Sequence, residues 1–191
     1  MRVLFAGLGI LATLAACHVS VGGNDNDDHP GIAAQGSGNS RTYAADGFTA
    51  VDLRGADDID VRVGPAFSVR ADGDSKVLDS LRIWKEGNIL HVGRVSRVSW
   101  GFSSGHARIT VTLPALTAAS IAGSGDISID RVQGAAFTGE SAGSGNVRAA
   151  VDGPAKVTIM GSGDVDLGDK AHCTSTKMGS GTIRCGAAAG T

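Results

Sequence analysis

Four Gly-Ser-Gly tripeptides punctuate the C-terminal half of the chain, and their spacing limits the fold more than any other feature. They begin at Gly123, Gly143, Gly161 and Gly179, so successive copies lie 20, 18 and 18 residues apart. Each is followed by Asp, Asn or Thr and then by a short run that suits a strand: Ile127-Ser128-Ile129, Val147-Arg148-Ala149, Val165-Asp166-Leu167 and Ile183-Arg184-Cys185. One short strand recurring at the same phase of a period near 20 predicts a solenoid, because a single repeat is too small to bury its own apolar face. Repeats stacked about 4.8 Å apart would pair their backbones and bury continuous apolar columns. Ile127, Val147, Val165 and Ile183 would form one column, and Ile129, Ala149, Leu167 and Cys185 the next. The corner glycines, Gly123, Gly125, Gly143, Gly145, Gly161, Gly163, Gly179 and Gly181, are therefore read as structural, with Ser and Asp side chains bonding local amides. Second strands fall between the corners, over 137–142, 157–160 and 174–178. Met160 and Met178 share a phase just before a corner and are expected to fill the core.

Upstream of the repeats the pattern is also strand after strand. Ile59-Asp60-Val61-Arg62-Val63 and Arg108-Ile109-Thr110-Val111-Thr112-Leu113 alternate apolar and polar residues, as half-buried strands do. Leu81 to Trp84 and Ile89 to Val92 flank Gly87-Asn88, a hairpin signal, and Trp84 is expected to be buried. Only residues 75–81 look helical. The predicted fold is all-β, a parallel β-helix or β-solenoid with an N-terminal strand and hairpin region. With 29 glycines and only 4% aromatic residues, thin layers and tight turns suit the chain better than a bulky core.

The N-terminus reads as an export signal. Arg2 precedes an apolar stretch from Val3 to Leu14, which is too short for a bilayer span of about 20 residues. Leu14-Ala15-Ala16-Cys17 then resembles a bacterial lipobox, so cleavage is expected after residue 16 with lipidation of Cys17. Two or more acyl chains anchor stably where one does not. Residues 17–40, rich in Gly, Asn, Asp and Ser, read as a flexible tether, and 41–191 as the folded domain. The expected location is the bacterial cell envelope, membrane-anchored through lipid, at the outer membrane in a Gram-negative cell. Cys173 and Cys185 remain as an even pair in an exported chain, which favours a disulfide, worth about 3 kcal/mol for so short a loop.

The early strands over 43–63, Leu81-Arg82-Ile83 before Gly87-Asn88-Ile89-Leu90-His91-Val92, and Ile109 to Leu116 with Leu113-Pro114-Ala115-Leu116 running into the Gly-Ser-Gly series form a recognisable set. The chain resembles the putative auto-transporter adhesin head GIN domain family over about residues 41–186. The resemblance implies a β-helix-like fold and an exported, often lipoprotein, location, and brings no catalytic residues with it.

Chemistry is sparse in the rest of the sequence. A net charge of −2 argues against nucleic acid as a partner. The five histidines lack metal-ligand spacing, and no phosphate loop is present. Asp126 and Asp164 lie two repeats apart, about 9.6 Å, too far to share an ion, so a hydrogen-bonded corner ladder is expected. No metal, cofactor or enzyme activity is predicted. The residues that could contact a glycan or protein partner are Arg94, Arg97, Trp100 and Phe102, in the stretch ending at His106; the alternative is that Trp100 and Phe102 cap the apolar end of the stack. The open backbone edge of the last repeat is expected to support weak self-association, with Lys170, Lys177 and Arg184 blunting it. The leading functional class is a non-enzymatic adhesin or scaffold; the others are a carbohydrate-binding or carbohydrate-modifying protein and a sensory or regulatory envelope lipoprotein.

Overall fold

The computed structural model describes residues 29–95 and 105–186. Within them the chain is all-β apart from one short helix, α1 (Ser75–Ser80). The strands are β1 (Ala34–Gln35), β2 (Ser40–Tyr43), β3 (Ala50–Gly55), β4 (Asp58–Val63), β5 (Ser68–Asp72), β6 (Leu81–Glu86), β7 (Ile89–Arg94) and β8 (Arg108–Leu113). They continue as β9 (Ala118–Gly123), β10 (Ile127–Gln133), β11 (Phe137–Gly143), β12 (Val147–Gly161), β13 (Val165–Asp166), β14 (Ala171–Gly179) and β15 (Ile183–Arg184).

Two ladders organise these strands. In the first, β7, β3, β9, β11, the second half of β12 and β14 pair side by side, all parallel. In the second, β8, β4, β10, the first half of β12, β13 and β15 do the same. A glycine corner separates the two strands that each repeat contributes. The register follows the repeat: Ile127 faces Val147, Val147 faces Val165, and Val165 faces Ile183. The 20-residue first repeat is reconciled with the 18-residue ones by small irregularities. The pairing offset is 20 at Ile127↔Val147, 19 at Val132↔Val151 beyond a bulge, and 18 at Phe137↔Ala155.

The repeat extends further back than the Gly-Ser-Gly series. Gly55 pairs with Gly123, so Gly55-Ala56-Asp57-Asp58 is an earlier corner, separated from the next by 68 residues instead of 18 or 20. The column Ile127-Val147-Val165-Ile183 accordingly continues through Ile59 and Ile109. All but Ile183 are buried, and Ile183 lies half-buried at the end of the ladder.

The two ends of the stack differ. At one, antiparallel strands close the ladders: β6 pairs with β7, and β5 pairs with β8 and in turn carries β2 and β1. The helix seats Val77 and Leu78 in the core, with Asp74 capping its first turn. The domain also begins earlier than residue 41. Ile32 donates its amide to Ile83 O at 2.7 Å and packs on the core, and β1 lies wholly within the stretch expected to be tether. An apolar residue and a bonded strand edge hold this stretch down, although its composition reads as linker.

At the other end, β14 pairs only with β12 and β15 only with β13 among the described residues. Cys173 on β14 and Cys185 just past β15 are joined, with Cα atoms 6.1 Å apart, which ties the last strand of one ladder to the last of the other. Ser175 and Lys177 lie in register with the buried Val157 and Ile159, so polar groups occupy the inward positions of the final repeat. Met160 and Met178, expected in the core, are 47% and 60% exposed. Side chains alternate along a strand, and since Val157 and Ile159 face inward, Met160 must face out.

The glycine corners are explained by contact. In each corner the first glycine has positive φ, 128° at Gly143, and its carbonyl accepts two amides of the next repeat: Gly123 O takes Ser144 N at 2.9 Å and Gly145 N at 3.1 Å. The second glycine has no positive φ, yet a Cβ on Gly163 would stand 2.0 Å from Gly145 O. Its glycine is required by the closeness of the neighbouring backbone. The following polar residues complete a ladder of their own: Asn146 N donates to Asp126 Oδ1 (3.0 Å), Asp164 N to Asn146 Oδ1 (2.9 Å) and Thr182 N to Asp164 Oδ1 (2.7 Å).

Gly163→Ala is expected to destabilise by about 3 kcal/mol or more, because backbone must move to admit the methyl. Gly134→Ala, at positive φ but with open space around it, should cost only about 1 kcal/mol. Equal shifts in urea midpoint for the two variants would contradict the contact explanation.

Candidate functional site

Cys17, Arg97, Trp100 and Phe102 lie outside the described residues. Arg94, grouped with them from the sequence as a contact residue, does something else. Its Nε donates to Asp57 Oδ2 at 2.8 Å, its Nη2 also bonds the Asp57 carboxylate, and Nη2 reaches Gly105 O at 2.7 Å. Asp57 is 1% exposed and takes Ala107 N as well, at 2.7 Å. The ion pair therefore closes the base of the 95–107 connection. The hydrogen bonds Arg94 donates to Asp57 raise its pKa further above its already high value, against an opposing effect of burial, so the guanidinium stays charged. Asp57 stands where later corners have their second glycine. The Gly123 corner packs against one side of it, whereas on the other side its carboxylate meets Arg94 and Ala107 N in place of a further glycine corner.

A second polar cluster lies on the outer face of the first ladder. Asp52, on β3, lies between His91 of β7 and Ser120 of β9 in register. It accepts from Ser120 Oγ at 2.6 Å and Arg54 Nε at 2.8 Å, and pairs with His91 Nδ1 at 2.7 Å. Burial alone would push the Asp52 carboxyl up; the bonds from His91, Ser120 and Arg54 outweigh it and hold the pKa at about 2. Trp84 is buried beside this group, outside the main apolar cluster. Its ring stacks between His91 (centroids 4.9 Å apart) and His29 (5.2 Å), with the Arg54 guanidinium 5.6 Å from the ring centroid.

Asp, His and Ser meet here, but not as a nucleophilic triad. That arrangement needs the histidine between the serine and the carboxylate, so that the imidazole takes the serine proton. Here Ser120 and His91 bond the same carboxylate from either side, and Ser120 spends its proton on Asp52. The cluster locks three strands together and keeps one anion ionised. Among the described residues no three His, Cys, Asp or Glu side chains converge as metal ligands. From the sequence His91 looks isolated, since its neighbours come from strands 39 and 29 residues away and only the β7-β3-β9 register unites them.

On the second ladder three charged residues share one phase of the repeat. Arg148, Asp166 and Arg184 are paired in register on successive strands. Arg184 lies 3.9 Å from Asp166, while Arg148 turns to the corner residue Asp126 at 3.4 Å. These are exposed pairs of small energetic weight.

The family of putative auto-transporter adhesin head GIN domains matches residues 47–184. The chain belongs to this family. Solved structures with a similar fold include a putative adhesin from Bacteroides fragilis (15% identity, 76% of this chain and 95% of that one, TM-score 0.41). They also include a putative lipid binding protein from Parabacteroides distasonis (15%, 80% and 95%, TM-score 0.43) and a putative cell adhesion protein from Clostridium sporogenes (10%, 78% and 99%, TM-score 0.39). No functionally curated protein matches the sequence. In this GIN domain three polar groups hold strands together: the clamp at Asp57, the ladder at the corners and the carboxylate hub at Asp52.

Asp52→Asn tests the hub. A carboxyl held at about 2 when folded, against about 3.9 unfolded, contributes about 2 to 3 kcal/mol that is present above pH 4 and lost as pH falls through 2. The variant should melt lower at pH 7 and lose less stability than wild type between pH 4 and pH 2. Parallel acid limbs for both proteins would contradict the assignment.

Proposed function

We propose that this GIN-domain chain is an exported, lipid-anchored protein of the bacterial cell envelope with a non-enzymatic role in adhesion or scaffolding. The observation that carries the reading is the in-register stack of repeats. Each supplies one strand to each ladder around a glycine corner, which favours a parallel β-solenoid. Such a body is built by nearest-neighbour contacts, so it is a rigid spacer whose exterior can vary without loss of fold. Family membership over residues 47–184 supports an adhesin-like, surface-directed role. The polar clusters at Asp57, at the corners and at Asp52 hold strands together, which favours presentation over catalysis. Leu14-Ala15-Ala16-Cys17 supports anchoring by lipid. No helix among the described residues is long and apolar enough to cross a membrane.

Cells expressing the full chain and fed an alkyne fatty acid should label it, and Cys17→Ser should abolish the label and release the protein from the membrane fraction. Labelling that survives the substitution would refute the anchor. Protease added to intact cells then separates a surface-exposed domain, which is cleaved, from one facing the periplasm, which is spared.

We also propose weak self-association through the edge of β14 and β15. Unpaired strand edges recruit other strands, and inward-facing charge opposes this. Lys177 occupies such an inward position beside Ser175. Lys177→Val should therefore strengthen association at least tenfold in sedimentation at high concentration. A variant as monomeric as the wild type would remove the edge from consideration.

A further inference from the structure

Beneath the N-terminal segment lies a pocket of about 210 Å³. Residues 31–34, β2, the end of α1 and β6 supply its walls, and its polar side chains are Arg41, Tyr43, Asp79 and Arg82. Arg41 is committed within the fold, since Nη1 donates to Leu78 O at 3.1 Å and Nη2 to the Asp79 carboxylate. Arg82 and Tyr43 are not. Among the described residues the Arg82 Nε is buried with no acceptor, and the Tyr43 hydroxyl is buried with none either, on a side chain only 5% exposed.

Folded proteins rarely leave buried donors unpaired, because water that would have bonded them has been given up for nothing. Two residues that carry such donors line one pocket, so acceptors are called for beyond the described residues. The charge count points the same way: two guanidiniums line the pocket against one carboxylate, and that carboxylate already serves Arg41. Room for Arg82 is built into the sequence, because a Cβ on Gly31 would stand 2.4 Å from Arg82 Cδ. Burial raises the Tyr43 phenol above its usual range, against a weaker opposite effect of Arg41, so it remains a hydroxyl able to donate.

We propose that this pocket binds a small oxyanion, a carboxylate or a phosphate, through the Arg82 guanidinium and the Tyr43 hydroxyl. A guanidinium presents a planar fork of donors suited to carboxylate and phosphate oxygens, and a phenol adds a third donor. A neutral ligand such as a sugar hydroxyl could satisfy the hydrogen bonds but would leave the Arg82 charge uncompensated. The site is independent of the lipid anchor and of the adhesive role proposed above.

The test is calorimetric titration of the purified full chain with inorganic phosphate and with acetate, at constant ionic strength and with chloride as the blank. Saturable one-site binding of at least one anion is expected. Arg82→Gln and Tyr43→Phe should each weaken it at least tenfold. In anion-free buffer Tyr43→Phe should melt at or above the wild-type temperature, because it deletes a hydroxyl that has no partner there. The proposal is overturned by wild-type protein that binds neither anion, by variants that bind as wild type does, or by Tyr43→Phe melting lower without anion, which would mean that the hydroxyl is already bonded inside the protein. Vesicles of phosphatidylcholine with and without phosphatidic acid identify the source. Binding that requires phosphatidic acid and is competed by free phosphate assigns a lipid-borne oxyanion, and response to free phosphate alone assigns a soluble one.

Discussion

From Gly123 onward, the first glycine of each corner sits against the carbonyl of the first glycine of the corner before it, and the rest of the architecture depends on that contact. A Cβ at Gly123, Gly143, Gly161 or Gly179 would fall 2.0 to 2.3 Å from the preceding corner's oxygen. That closeness lets one carbonyl accept two amides from the next repeat. Once the corners are locked at this spacing, both ladders fall into register and the apolar columns align without further instruction. The side chains of Asp126, Asn146 and Asp164 repeat the same step, each accepting the following residue's amide. Main chain and side chain thus enforce one translation, and the hydrophobic columns, built of modest Ile, Val and Ala residues, need only fill what the corners define.

This dependence explains which parts of the fold the sequence discloses. Glycine spacing and strand phase reveal the later repeats, because each depends on its nearest neighbour in the chain. They conceal the corner at Gly55, where the tripeptide is replaced by Gly55-Ala56-Asp57 and the next copy is 68 residues on. Met160 and Met178 mislead because a long apolar side chain suggests burial, whereas the alternation set by Val157 and Ile159 turns them outward. Arg94 misleads for the opposite reason. A basic residue beside Trp and Phe looks available, and its partner Asp57 is 37 residues upstream.

The functional groups were less legible than the fold. Asp52, His91, Ser120 and Trp84 belong to different strands, and only the insertion of β3 between β7 and β9 brings them together. The Tyr43 and Arg82 pocket needs β2, α1, β6 and the N-terminal segment to meet at the capped end. Regularity along the stack is local and appears in the sequence as period. The cap is assembled from non-local contacts, so its chemistry becomes visible only in three dimensions.

The place of β3 and β4 bears on how the chain is made. Both strands are completed by residue 63, yet each is flanked on one side by strands that end at 94 and 113 and on the other by strands that end at 123 and 133. A polypeptide made N-terminus first delivers these two strands with both edges bare, and both edges are filled only when the strands ending at 123 and 133 have emerged. Later repeats find their template already waiting and can add one at a time. The slow, aggregation-exposed stage of biogenesis therefore belongs to the capped end, and the glycine-cornered repeats follow as rapid extension.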